Sequence, residues 1–183
     1  VSVNPAGDIN NDGYDDIIIG AHGVNSYQGK VYVIYGGPPS SMSNHDFTTD
    51  TLDPAKTGFT LTGNSPTDGF GVSVGTAGDI NNDGYGDIII GAHGKNVFQG
   101  AVYVIYGRKT WSNIDLSQET LDPTKTGFTM KGATIAVSGG DNFGFSVGTA
   151  GDINNDGFDD IIVGADQNNG NQGIAYVIYG GKT

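Results

Sequence analysis

The chain has 183 residues, with 8 Lys or Arg against 20 Asp or Glu, a formal net charge of −12 and no Cys. So few basic residues exclude the basic patch that a nucleic-acid surface needs, and the lack of Cys excludes a disulfide framework and thiolate metal sites. No run approaches the roughly 18 apolar residues of a membrane span, no signal peptide is visible, and a first residue other than Met reads as a mature or excised piece.

In chain order, Val1-Ser2-Val3 is the tail of a first strand-like run. A loop follows, Asp8-x-Asn10-x-Asp12-Gly13-x-x-Asp16, and then an apolar run, Ile17-Ile18-Ile19, and Gly20-Ala21-His22. Next come a β-branched and aromatic run at 31–36 (VYVIYG), a Pro- and Ser-rich connector at 36–57, and an alternating run at 58–63 (GFTLTG). The same series recurs: its second loop opens at Asp79 and its third at Asp152, periods of 71 and 73 residues. The second unit has Phe70-Gly71 before its loop, then Ile88-Ile89-Ile90, VYVIYG at 102–107, a connector at 107–126 and GFTMKG at 127–132. The third has Phe143-Gly144, Ile161-Ile162-Val163 and AYVIYG at 175–180, and stops before the last element.

Each unit holds four short strands and no helical period. The Ile runs are apolar on both faces, which predicts strands covered on both sides. Phe59 and Leu61 alternate with Thr60 and Thr62, which predicts an outer strand with one wet face. A four-stranded antiparallel sheet repeated at a long fixed period is a propeller blade. The fold class is therefore all-β, a propeller with about three blades present: 1–69, 70–142 and an incomplete 143–183. Both connectors end in Thr-Leu-Asp-Pro-x-Lys-Thr-Gly, at 51–58 and 120–127, which predicts an ordered surface turn rather than a linker.

The loops predict three calcium sites. In the first, Asp8, Asn10, Asp12 and Asp16 offer side-chain oxygens and Tyr14 its carbonyl; in the second, Asp79, Asn81, Asp83, Tyr85 and Asp87; in the third, Asp152, Asn154, Asp156, Phe158 and Asp160. Glycine at loop position six permits the reversal. Five protein groups plus water reach the six to eight oxygens calcium accepts, whereas magnesium wants a tighter octahedron, and no His or Cys lies within the loops to favour zinc. Position 12 is Ile19, Ile90 or Val163, not the Glu of an EF-hand, so each loop joins strand to strand. Nine of the 20 acidic residues lie at these positions, so the charge excess is largely metal-site charge. The metal-free alternative is an Asp- and Asn-rich turn that bonds its own backbone; three copies with identical ligand types weigh against it. Asp15 and Asp159 fall outside the ligand spacing and are expected to be solvated.

These features resemble the FG-GAP repeat of integrin α-subunit propellers and their bacterial relatives. Phe70-Gly71 and Phe143-Gly144 match the "FG", and Gly20-Ala21-His22, Gly91-Ala92-His93 and Gly164-Ala165-Asp166 stand where the family has "GAP", without its proline. The resemblance implies structural calcium in the loops, ligand binding on the opposite face, and a seven-bladed ring. It also implies that this arc is either part of a longer propeller or is closed by copies of itself.

The function expected is a calcium-stabilised, non-catalytic propeller module for adhesion or recognition, extracellular or at the cell surface, with a protein or glycan partner. The alternatives are a lectin-like module, for which Trp111, Tyr27 and Phe98 are candidate aromatics, and an accessory module of a secreted enzyme. The structural alternative for Trp111 is a connector residue tucked onto its own blade. No nucleophile elbow or triad is apparent, and the matched turn positions of His22 and His93 suit a structural role.

Overall fold

A computed structural model describes residues 1–40, 44–47, 50–135, 139–168 and 172–182. The protein is all-β. Blade one is built from β1 (Ser2–Gly7), β2 (Asp16–Ala21), β3 (Lys30–Ile34) and β4 (Gly58–Thr62). Blade two is built from β5 (Val74–Gly78), β6 (Asp87–Ala92), β7 (Ala101–Ile105) and β9 (Gly127–Lys131), with β8 (Ile114–Asp115) inside its connector. After a two-stranded ribbon of β10 (Thr134–Ile135) and β11 (Gly139–Gly140), blade three contributes β12 (Ser146–Gly151), β13 (Asp160–Ala165) and β14 (Ile174–Ile178).

Within each blade the strands pair antiparallel in sequence order, and the register repeats: Ile17 faces Ile34, Ile88 faces Ile105 and Ile161 faces Ile178. The inner strands β1, β5 and β12 lie side by side. The blades come closest at the glycines of the second strands, β2 and β6. A Cβ on Gly20 would sit 2.1 Å from the Gly71 carbonyl oxygen, and one on Gly91 would sit 2.0 Å from that of Gly144. The paired "GA" and "FG" glycines are thus what lets neighbouring blades approach.

Two cores fill the gaps between blades. Ile18, Val31 and Val33 of blade one meet Ile88, Ile90, Tyr103 and Ile105 of blade two. Ile89, Val102, Val104 and Tyr106 of blade two meet Ile161, Val163, Tyr176 and Ile178 of blade three. Every blade therefore has a forward and a rear apolar face, set by strand alternation. Among the described residues, only those of blade two are covered on both. In β6 every residue is buried, whereas Ile17 of β2 and Ile162 of β13 are each 41% exposed. The expectation of two-sided cover for all three Ile runs therefore holds for the middle blade alone.

Blade one differs from a four-stranded antiparallel blade. Strand β8, from the connector of unit two, adds to its outer edge in parallel, Leu61 opposite Ile114 and Thr62 opposite Asp115. Blade two ends at β9. The shared connector phrase does form a defined turn: the amides of Lys56, Thr57 and Gly58 donate to the Asp53 carbonyl, and those of Lys125, Thr126 and Gly127 to that of Asp122.

Candidate functional site

The three loops sit at the same end of their blades, each between a blade's first and second strands. Their internal bonding is the same. In loop one the Asp12 and Gly13 amides donate to the two Asp8 carboxylate oxygens at 3.0 and 2.9 Å. Asn10 Oδ1 accepts from the Asp12 amide at 2.9 Å, and Asp12 Oδ1 accepts from the Tyr14 amide at 3.0 Å. Loop two repeats this with Asp79, Asn81, Asp83 and the Tyr85 amide. Loop three repeats it with Asp152, Asn154, Asp156 and the Phe158 amide. Gly13, Gly84 and Gly157 hold φ near +90° (90°, 90° and 91°), a conformation that only glycine adopts without strain.

The ninth-position aspartates are the buried floor of each loop. Asp16 accepts from the Ile9 amide at 3.1 Å and from the Gly36 amide at 2.8 Å. Asp87 does so from Ile80 and Gly107, and Asp160 from Ile153 and Gly180. One carboxylate thus ties the loop to the exit of the third strand. Burial pushes the Asp16 carboxyl up to about 6 and Asp87 up to about 7; the two amide bonds on each oppose this, and the neighbouring loop aspartates add to it.

The donor set fits a hard divalent cation: three carboxylates, an amide oxygen and a backbone carbonyl per loop. The raised Asp16 and Asp87 carboxyls mark places where a positive charge would be stabilising. Among the described residues no three Asp, Glu or His side chains already converge on a metal point. Filling a coordination sphere would therefore draw the exposed fifth-position side chains, such as Asp12 and Asp83, inward.

The loops also bond to one another. Gly86 donates to the Asp8 carbonyl at 3.0 Å, and Asp159 to that of Asp79 at 3.3 Å. Asp159 then accepts from the Asp79 amide at 2.8 Å through its carboxylate. This corrects the expectation that Asp159 is solvated, while Asp15 is exposed as expected. Sequence reasoning also missed the strand-exit glycines that anchor the floor carboxylates; the recurrent VIYG was their only signal.

The remaining candidates separate. Trp111 stacks on Phe59 at 4.1 Å with Arg108 over its other face at 4.4 Å, so it packs on blade one and not on its own blade. Tyr27 and Phe98 are exposed on matched turns, Val24–Tyr27 and Lys95–Phe98, whose inner residues are left-handed at φ 50–66°. The strain has a structural return. The Ser26 and Tyr27 carbonyls accept from Thr67 and Gly69, and the Phe98 carbonyl from Asn142, which ties each turn to the end of its own unit, just before the next Phe-Gly pair. His22 and His93 lie against these turns, 6.1 Å from Tyr27 and 6.3 Å from Phe98.

Fold and loops together define an arc of β-propeller blades with a repeated acidic loop. The FG-GAP repeat matches at residues 2–34, 70–105 and 143–178, and the chain belongs to that family. Among similar proteins, integrin alpha pat-2 of Caenorhabditis elegans is 34% identical over 86% of this chain and 12% of its own length. Integrin alpha-6 of Gallus gallus is 31% identical over 86% of this chain and 12% of its length. Phosphatidylinositol-glycan-specific phospholipase D of Bos taurus is 30% identical over 96% of this chain and 20% of its length. The chain is homologous to integrin α subunits and spans between an eighth and a fifth of these relatives.

Proposed function

We propose that this chain is a calcium-stabilised, non-catalytic segment of an integrin-like propeller that serves extracellular adhesion or recognition. The observation that carries the reading is the threefold repetition of one loop geometry with one donor set. Each loop would bind one calcium ion through five of the fifteen groups named above: Asp8, Asn10, Asp12, Tyr14 and Asp16 in the first, and their counterparts in units two and three. The ion would offset carboxylate repulsion and lock the loop to the strand-three exit through Asp16, Asp87 and Asp160. Loops with three carboxylates suit the weak affinities of extracellular modules.

Recognition would use the opposite end of the blades, where Tyr27, Val97 and Phe98 are exposed. The open rear face of blade one and forward face of blade three fit further blades of the same kind, which supports a place in a larger ring. A second reading, an accessory module of a secreted enzyme, is favoured by the similarity to the bovine phospholipase across 96% of the chain. Thermal melts in calcium and in EDTA test the leading reading, with a variant carrying Asp12→Ala, Asp83→Ala and Asp156→Ala. Calcium should raise the melting temperature of the native chain and leave the variant unmoved; equal melts for the native chain in both buffers would reject it.

A further inference from the structure

The connector of unit two reaches back across a blade boundary, and its contacts can be read atom by atom. Asn113 Oδ1 accepts from the Thr60 amide at 2.9 Å and from its hydroxyl at 3.2 Å. The Leu116 amide donates to the Thr62 carbonyl, and Asn64 Nδ2 donates to the Leu116 carbonyl at 2.8 Å. Ile114 and Leu116 are 5% exposed and belong to the blade one–blade two core. This clasp seals the outer strand of blade one, where Phe59 and Leu61 are wholly buried.

The outer strand of blade two has nearly the same sequence, Gly-Phe-Thr-Met-Lys against Gly-Phe-Thr-Leu-Thr, and the same register on its inner neighbour. Among the described residues it is the last strand of its sheet, and Phe128 and Met130 are only half-buried. The first connector, in turn, repeats the clasp motif. Asn44-His45-Asp46-Phe47 corresponds to Asn113-Ile114-Asp115-Leu116, and both stand at the same distance before Thr-Leu-Asp-Pro. Its turn is already formed in the same way. The Asp46 amide donates to Asp50 Oδ2 at 2.9 Å, as the Asp115 amide does to Glu119 Oε1 at 3.1 Å. Clasp and acceptor edge are therefore both recurrent parts.

We propose that β9 is a docking edge for a connector segment of this type, an extended Asn-x-Asp-(Leu/Phe) strand presented by a following blade. It would add in parallel to Gly127–Lys131, with its Asn on the Thr129 amide and hydroxyl and its large apolar residue closing over Phe128 and Met130. This is strand addition to an exposed sheet edge, where main-chain bonds supply affinity and alternate side chains supply specificity. Each blade boundary is then crossed by a clasp as well as by a packed core.

The test is a titration of the full chain with a synthetic peptide of residues 107–126, followed by NMR at the backbone amides of Gly127–Lys131. The expected result is saturable shifts there and slowed exchange of the Thr129 amide. Asn113→Ala in the peptide should weaken binding about five- to tenfold, and Thr129→Pro in the chain should abolish it. Proline suits that position because the equivalent Thr60 amide points away from the blade, so no ladder bond is lost. The peptide variant makes the result independent of the folding of any chain variant. No saturable change at Gly127–Lys131, or binding indifferent to both substitutions, would overturn the proposal. Concentration-dependent shifts of these amides without peptide would assign the edge to a second copy and overturn the connector as its occupant.

Discussion

Strands β6 and β13 differ by one methylene, DIIIGA against DIIVGA, yet every residue of β6 is buried while Ile162 of β13 is 41% exposed. The outer strands β4 and β9 show the same contrast: Phe59 lies under a clasp and Phe128 does not. Burial in this molecule is a property of neighbours rather than of local sequence. Repeats that cannot cover themselves draw stability from stacking.

The largest difference between covered and uncovered positions is expected at the outer strands. Phe59→Ala should cost about 4 kcal/mol, because it empties a filled site and strips the stacking partner from Trp111. Phe128→Ala should cost roughly half of that. Urea denaturation checks both, and equal losses would mean the clasp adds nothing. Next, Ile89→Ala should cost about 3 kcal/mol and Ile162→Ala about half of that, because Ile162 is 41% exposed and keeps that share of its surface in water.

The floor carboxyls sharpen the comparison through pH. In metal-free protein the folded state holds the Asp16 and Asp87 protons more tightly than the unfolded chain, near 6 and near 7 against 3.8. Their contribution is complete below 3.8 and is lost as the pH rises through 6 and 7. The melting temperature in EDTA should therefore fall by roughly 5 °C between about pH 4 and pH 8. A rise over that window would contradict the assignment. The smallest effect is at the inter-loop bond: Asp159→Ala should cost about 1 kcal/mol by removing the acceptor of the Asp79 amide, while Asp15→Ala should stay within about 0.5 kcal/mol.

Much of this architecture is legible in the sequence because it is local. The three Asp-x-Asn-x-Asp-Gly loops and the strand patterns each announce themselves within ten residues. What the sequence hides is which unit a segment serves. Trp111 and Ile114 lie in unit two by position and on blade one by contact, since the connector returns across the boundary. Asp159 looks idle from its spacing because its partner, the Asp79 amide, is 80 residues away. The left-handed turns at Asn25-Ser26-Tyr27 and Asn96-Val97-Phe98 are equally hidden, because Val and Phe oppose that conformation and bonds from Thr67, Gly69 and Asn142, more than 40 residues further on, hold it.

The central claim is that the loops bind calcium and the blades depend on it. Isothermal calorimetry of the metal-stripped chain with calcium tests it most directly. The account predicts saturable binding of three ions per chain, lowered to two by Asp83→Ala with Asp87→Asn in the middle loop. Titration heats no different from buffer, in a chain that stays folded, would contradict it.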